Sequence, residues 1–256
     1  MRKINSKRGQ VAIWIILALA IVLIISLIFF VSRGKPVISQ SVDYGNPEAF
    51  IDSCAKNAIL DAEKIIVPQG GIVEPKNFVV YNNISIVYMC KNSGYFEPCI
   101  QQHPSLLNDM ENEIINYAKP KIDNCFQQLK SELEKRNNEV TFNGFDFKVK
   151  LIPGRIRSEI TTDMKVKNEQ EVKEYKDFKN DLVSSIYELG RIAINIANDE
   201  AKYCYFEYVG YMALNPEFLI EKTTLGDSTK IYSIKDIKSG EKMNSAIRGC
   251  AIPAGF

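Results

Sequence analysis

The chain carries a single histidine, His103, and this restricts the catalytic sites that the sequence can build. A Ser-His-Asp or Cys-His site would have to use this residue, which stands before Pro104 in a segment with the composition of a loop. Zinc sites with two histidines, including the HExxH helix, are excluded within one chain. The sequence also has no GxSxG, GxGxxG or GxxxxGK[ST] motif. We therefore assign no catalytic, metal-binding or cofactor-binding residue and interpret His103 as an exposed loop residue.

Carboxylates are the remaining groups that could do chemistry, because a pair brought together by the fold can hydrolyse glycosidic bonds. Asp109, Glu111 and Glu113 cluster near the start of a predicted helix, where negative charge also suits the helix dipole. Two further pairs, Asp61/Glu63 and Asp199/Glu200, are interpreted as parts of solvated helix faces. An extracytoplasmic hydrolase therefore stays open as one hypothesis.

Six cysteines lie between residues 54 and 250, and none lies in the first 53 residues. An even number of cysteines without a CxxC pair favours disulfides in an oxidising compartment over a zinc ribbon or a redox motif. Six buried free thiols in a reduced domain are the alternative. Sequence alone leaves 15 pairings open. We expect Cys90–Cys99 to close the short loop KNSGYFEP, Cys54–Cys125 to join two helices, and Cys204–Cys250 to hold the C-terminal tail.

Residues 11–31, VAIWIILALAIVLIISLIFFV, form an uncharged apolar run in which Ser26 is the only polar side chain. At 1.5 Å per residue such a helix spans about 30 Å, the thickness of the hydrocarbon core of a bilayer. Four basic residues precede the run, whereas only Arg33 and Lys35 follow it closely. This bias predicts a cytoplasmic N-terminus and an extracytoplasmic C-terminal part. The basic residues before the run are Arg2, Lys3, Lys7 and Arg8.

The string Lys7-Arg8-Gly9-Gln10, followed directly by this apolar run, resembles an archaeal class III signal peptide of the prepilin type. The resemblance implies cleavage by a membrane peptidase between Gly9 and Gln10. The remainder of the chain resembles membrane-anchored proteins of small-genome archaea that carry no assigned function. That resemblance rests on a cysteine-bearing helix followed by Gln69-Gly70-Gly71 and on the KIYSIKD strand at residues 230–236.

Composition and charge limit the classes of partner that the chain can bind. The net charge is +1, but residues 1–34 hold five basic residues and no acidic one, so the remainder carries 27 basic against 31 acidic residues. This balance disfavours nucleic acid as a partner. The apolar fraction of 46% is that of a globular chain. Asn83-Ile84-Ser85 is an N-glycosylation sequon, and Asn83 is therefore a candidate glycosylation site.

The pattern of turns and apolar residues predicts the following elements. Asn46-Pro47 starts a helix over 47–66, which ends at Pro68-Gln69-Gly70-Gly71. FVVY and ISIVYMC form a hairpin around Asn82-Asn83. Helices follow over 105–118 and 120–136, separated at Lys119-Pro120, and then strands over 139–152 and 155–167 around Pro153-Gly154. An apolar stripe predicts a long helix over 168–202. The next segment, CYFEYVGYMAL, is either a strand or a continuation of that helix. The last predicted elements are a closing pair of strands, TKIYSIKDI and KMNSAIRGCAI.

We therefore predict an α+β protein in which a single N-terminal transmembrane helix precedes a disulfide-containing extracytoplasmic domain with antiparallel β-hairpins and several helices. The expected segments are a basic cytoplasmic head (1–10), the transmembrane helix (11–31), a juxtamembrane linker (32–45) and the α+β domain (46–256).

The first functional hypothesis is a single-pass membrane-anchored envelope protein whose outer domain binds, adheres or scaffolds without catalysis. Its partners would be the lipid bilayer and envelope or surface proteins. The alternatives are a type IV pilin-like filament subunit processed before Gln10 and an extracytoplasmic hydrolase. The pilin hypothesis ranks second because Trp14 stands where the prepilin family usually carries Glu. In addition, Gly34 and Pro36 interrupt the helix soon after the apolar run.

Overall fold

The computed structural model describes Leu17, Leu19, Ile21 and Val22, and then residues 44–169 and 171–251. The chain divides into two compact units, Met1–Val42 and Asp43–Phe256. In the first unit the four described residues are helical and exposed. The predicted head and most of the predicted span (11–31) and linker (32–45) lie outside the described residues. Among the residues that are described, no helix has the length and apolarity needed to cross a bilayer.

The second unit has the α+β fold with antiparallel sheets that the sequence predicts. Its described part contains four helices and ten strands. The helices are α1 (Pro47–Ile66), α2 (Leu106–Glu134), α3 (Ile186–Tyr203) and α4 (Tyr208–Leu214). The strands are β1 (Phe78–Tyr81), β2 (Ile84–Lys91), β3 (Ile100–Gln101), β4 (Glu139–Thr141), β5 (Phe145–Ile152), β6 (Arg155–Lys167), β7 (Val172–Val183), β8 (Phe218–Thr224), β9 (Lys230–Asp236) and β10 (Lys242–Arg248).

A six-stranded sheet has the order β1-β2-β10-β9-β8, with β3 paired to the end of β2. Its β1–β2 hairpin and its closing β9–β10 pair confirm two predictions. Asn82 and Asn83 both adopt positive φ, as the tight turn between β1 and β2 requires. The pairing of β2 with β10 is parallel, whereas the other pairs of this sheet are antiparallel.

A four-stranded sheet is built around the long strand β6. β5 and β4 pair along one edge of β6, and β7 pairs along the other. Phe147, Val149 and Leu151 of β5 point into the core, so the predicted alternation is confirmed.

Helices α1 and α2 pack against each other and against the four-stranded sheet. The predicted cap of α1 is confirmed, because the Asn46 side chain accepts a hydrogen bond from the Ala49 amide at 3.2 Å. Helix α3 lies against the six-stranded sheet and approaches α2 at Gly190, where an added Cβ would meet a Leu107 methyl carbon at 2.8 Å. One continuous core joins the helices to both sheets.

The predicted long helix over 168–202 is wrong in its first half. Residues 172–183 form β7, and α3 begins only at Ile186. The apolar residues Tyr175, Phe178 and Leu182 of β7 are buried, and their spacing imitates one face of a helix. The spacing arises because β7 pairs with a bulged stretch of β6, in which residues 162 and 163 lie opposite residue 176 alone.

Two other predictions are corrected. Pro120 does not divide the predicted helices, because α2 is continuous from Leu106 to Glu134. Ala118 and Ile122, on either side of Pro120, are fully buried, so packing outweighs the lost backbone hydrogen bond. Neither alternative for residues 204–214 holds: α3 ends at Cys204, which has positive φ, and the short helix α4 follows separately. The strands β3 and β8 were not predicted from the sequence.

Candidate functional site

The residues singled out from the sequence lie in separate places. His103 was expected to be exposed, but it is partly buried and its Nδ1 lies 3.1 Å from Asp109 Oδ2 at the start of α2. Asn83 occupies the exposed tip of the β1–β2 hairpin. Gly9 and Gln10 lie outside the described residues. His103 and Asn83 therefore belong to no common site.

The six cysteines form three disulfides, Cys54–Cys125, Cys90–Cys99 and Cys204–Cys250. These are the same pairs that the sequence analysis favoured. The first joins α1 to α2, the second closes the loop between β2 and β3, and the third joins the C-terminal end of α3 to the segment after β10.

The interpretation of two carboxylates as solvated is wrong. Glu63 and Glu200 are buried, at 7% and 0% exposure. Glu63 follows Ile59 by one helical turn on the core side of α1, and Glu200 follows Ile196 in the same way on α3. Helical spacing alone could have placed both on the buried faces, but it could not supply their partners.

Surface grooves that are lined by carboxylates are also lined by the basic side chains that pair with them. One groove is lined by Glu111, Glu159, Lys150 and Arg157, among others. Glu111 accepts hydrogen bonds from Lys150 Nζ at 2.7 Å and from the Leu151 amide at 3.0 Å. Glu159 lies 2.9 Å from Lys179 Nζ. The hydrolase hypothesis gains no support from these carboxylates and stays a prediction.

Exposed aromatic side chains gather around the disulfide Cys204–Cys250. Five phenylalanine and tyrosine side chains are exposed within residues 44–169 and 171–251, and four of them lie at this place. Tyr203 and Tyr205 flank Cys204, and Phe96 is tied to the other half of the disulfide by its amide, which donates to the Ala251 carbonyl at 2.9 Å. We call the four exposed aromatic side chains here the aromatic face: Tyr95, Phe96, Tyr203 and Tyr205.

Backbone geometry presents Phe96 to solvent. Its φ of +64° lies in the left-handed region, which is unusual for a bulky residue, and its side chain is 66% exposed. Two backbone hydrogen bonds fix this conformation: the one from the Phe96 amide to Ala251, and one that the Cys250 amide donates to the Glu97 carbonyl at 2.7 Å. Such strain is retained where the surrounding structure fixes it, and it is typical of functional surfaces.

Cations lie over the rings of the aromatic face. Lys202 Nζ lies 4.8 Å from the Tyr203 ring centre, and the Arg248 guanidinium lies 5.5 Å from that of Tyr95. Lys222 Nζ lies 5.3 Å from the centre of the Tyr205 ring. These contacts orient the rings while leaving a large part of each exposed.

Glu207 adds a second restraint at this place. It caps α4 by accepting from the Gly210 amide at 3.2 Å and accepts a hydrogen bond from the Tyr205 hydroxyl at 2.6 Å. These two bonds lower the pKa of Glu207, and the carboxylate in turn raises the pKa of Tyr205.

The aromatic face was not predicted, although the sequence contains a signal for it. Tyr203 and Tyr205 stand on either side of Cys204, and Tyr95 and Phe96 lie in SGYFEPC, within the loop closed by Cys90 and Cys99. The Cys204–Cys250 disulfide ties CYFEY to the segment after β10, and that segment is hydrogen-bonded to the SGYFEPC loop through the Cys250 amide and the Ala251 carbonyl. Comparison with known protein families, with curated proteins and with solved structures finds no match to the chain.

Proposed function

We propose that this protein is a single-pass membrane-anchored cell-envelope protein whose outer domain binds another envelope or surface protein through the aromatic face, without catalysis. The N-terminus is cytoplasmic and the disulfide-bonded domain is extracytoplasmic. The main observation in support of a binding function is that four exposed aromatic rings lie close to one disulfide, Cys204–Cys250.

Two features support the proposed location. The uncharged run over 11–31 has the length of a membrane span, and the excess of basic residues before it favours a cytoplasmic N-terminus. The pairing of all six cysteines suits an oxidising compartment, since thiols in the cytosol are kept reduced.

The chemistry of the aromatic face supports a protein partner. Tyrosine, phenylalanine and arginine are enriched at the centres of protein interfaces, while charged residues occupy the rim. Here Glu97 follows Phe96 in the chain, Glu207 accepts a hydrogen bond from the Tyr205 hydroxyl, and Lys222 lies over the Tyr205 ring. Disulfide and hydrogen-bond restraints hold the rings in place, so binding would lose little conformational entropy.

The location is tested by protease protection of intact cells that express the chain with a C-terminal reporter. We expect external protease to remove the reporter, and we expect alkylation of all six cysteines only after reduction. A reporter protected inside the cell, or six thiols alkylated without reduction, would overturn the proposal.

The binding function is tested by photo-crosslinking in cell envelopes, with the crosslinking amino acid placed at Tyr203. The same amino acid at Phe78, an exposed aromatic position on β1, is the matched control. We expect a discrete crosslinked protein from position 203 alone, lost when Phe96→Ser is added. Crosslinks to lipid only, or equal crosslinking from both positions, would exclude a protein partner at this face.

A type IV pilin-like filament subunit is the second candidate, favoured by the string Lys7-Arg8-Gly9-Gln10 before the apolar run. This proposal expects a mature chain that starts at Gln10 and filaments that contain it. Mass spectrometry of the N-terminus and immuno-electron microscopy of the cell surface test both expectations.

A further inference from the structure

A cluster of serine and carboxylate side chains lies where three parts of the fold meet. These parts are the last turns of α1, the residues that begin α3, and the turn between β9 and β10. The Ser184 hydroxyl is hydrogen-bonded to Glu63 Oε1 and lies 3.4 Å from Glu241 Oε2. Ser184 is 2% exposed and Glu63 is 7% exposed, so bulk water does not solvate this contact.

The number of available protons constrains this cluster. A serine hydroxyl has one proton to donate, and the Ser184 oxygen already accepts a hydrogen bond from the Ile186 amide at 3.0 Å. If both carboxylates were ionised, the single hydroxyl proton could serve only one of them. One additional proton satisfies all three groups: Glu63 donates to Ser184 Oγ, and Ser184 donates to Glu241.

The surroundings decide which carboxylate holds this proton. Glu241 Oε2 also accepts a hydrogen bond from the Ser185 amide at 2.7 Å, at the N-terminus of α3, where a negative charge is favoured. Ser184 is the hydrogen-bond partner that Glu63 has in the described structure. The proton therefore belongs on Glu63.

The charged groups nearby do not neutralise an ionised Glu63. On α1 its neighbour is Lys64, whose side chain is 74% exposed and therefore screened by water. On the β9–β10 turn, Glu241 adds a like charge, and Asp236 is bound to the Ser185 hydroxyl at 2.6 Å. Burial, reinforced by the charge of Glu241, raises the pKa of Glu63 to about 7 despite the hydrogen bond from Ser184.

We propose that Glu63 and Glu241 share one proton through the Ser184 hydroxyl, and that this junction is a pH-sensitive latch. In acid it joins α1, α3 and the β9–β10 turn, and toward alkaline pH it loosens. The inference depends only on these contacts and is independent of the proposed function.

The sign of the pH effect follows from linkage. When the junction opens, Glu63 becomes hydrated and its pKa returns to about 4.5. Opening therefore releases a proton between about pH 4.5 and pH 7, and the opening equilibrium constant rises about tenfold per pH unit in that range. The latch is fully effective below pH 4.5, and its contribution is lost as the pH rises through 7.

Hydrogen–deuterium exchange of the full-length protein in detergent micelles tests the latch between pH 5 and pH 8. The amides to follow are those of the first turns of α3 and those at the start of β10, after correction for intrinsic exchange. We expect the opening constant of the wild type to rise about 40-fold from pH 5 to pH 7 and to level off above pH 7, at about 70 times its pH 5 value by pH 8. Glu63→Gln should remove the dependence, because its amide group is neutral at every pH and can donate to Ser184.

Glu48→Gln is the matched control, since Glu48 is an exposed glutamate on the same helix. It should keep the wild-type profile. If Glu63→Gln fails to fold, Glu241→Gln provides the second test, because removing the like charge should move the midpoint of the profile to lower pH. A wild-type profile that is flat from pH 5 to pH 8, a profile unchanged in Glu63→Gln, or a midpoint unchanged in Glu241→Gln overturns the proposal.

Discussion

Glu200 and Lys230 form an ion pair whose carboxylate is completely buried. Lys230 Nζ lies 2.6 Å from Glu200 Oε2 and also donates to the Cys204 carbonyl at 2.7 Å. The other carboxylate oxygen accepts from the Tyr232 hydroxyl. Burial and the neighbouring Glu200 raise the pKa of Tyr232, so its hydroxyl keeps its proton and donates throughout the physiological range. The pair thus links the end of α3 to β9, beside Cys204 of the disulfide at which the aromatic face is gathered.

Removing the charge of Glu200 should destabilise the domain strongly. In Glu200→Gln, the ammonium of Lys230 is left largely buried without a counter-charge, and we expect a loss of about 3 kcal/mol in the free energy of unfolding. Guanidinium denaturation followed by circular dichroism measures it. Glu139→Gln, which removes an exposed partner of Lys167, should change stability little. Equal losses of unfolding free energy in the two variants would show that the buried ion pair contributes no more to stability than an exposed one.

The disulfides should differ in their contribution to stability according to the length of chain that they close. Cys54–Cys125 spans 71 residues and Cys90–Cys99 spans nine. Loop entropy predicts a loss of about 4 kcal/mol when Cys54 and Cys125 are both replaced by alanine, and about 3 kcal/mol for Cys90 and Cys99. Denaturation of both double variants under oxidising conditions checks the order. The opposite order would mean that strain or residual structure in the unfolded chain outweighs loop entropy.

Gly70 should not tolerate a side chain. It has φ +87°, and an added Cβ would lie 2.8 Å from the Asn244 carbonyl oxygen and 2.8 Å from Val87 Cγ1. We expect Gly70→Ala to lose about 3 kcal/mol, since a rigid backbone atom adds to the penalty of positive φ. Gly154 has φ +73° with open space around it. Gly154→Ala should therefore lose only about 1 kcal/mol, and thermal unfolding of both variants isolates the steric part.

Replacement of Pro120 should stabilise the protein. The residue is exposed and lies inside α2, where its ring prevents one backbone hydrogen bond. Pro120→Ala restores the amide donor and removes the clash, while it also makes the unfolded chain more flexible. We expect a net gain of about 1–2 kcal/mol, measured by chemical denaturation. A loss of stability would indicate that the helix has a bend at Pro120 on which its packing depends.

Local signals in the sequence were sufficient for the features that depend on neighbouring residues. Asn46-Pro47 identified the start of α1, and Asn82-Asn83 identified the turn of the first hairpin, because capping and positive φ depend on nearby side chains. The alternation in β5 identified its buried face.

Features that depend on residues distant in the sequence could not be predicted from local signals. The bulge opposite β7 gave a strand the apolar spacing of a helix, and no local signal separates the two. Glu63 and Ser184 stand 121 residues apart, so their contact exists only in the folded chain. The aromatic face could not be predicted for the same reason, since its two segments are connected through the tail residues Cys250 and Ala251, which are distant from both in the sequence.

The parallel pairing of β2 with β10 has a consequence for biosynthesis. Tyr88 in β2 lies opposite Ala246 in β10, so the centre of the six-stranded sheet joins the beginning of the domain to its end. A nascent chain emerging from the ribosome or a translocation channel cannot complete this sheet until β10 has been released. Until then, the edge of β2 lacks its permanent neighbour and is open to wrong pairing. This sheet should therefore be completed only after β10 has been synthesised, and C-terminal truncation before β10 should yield aggregated protein.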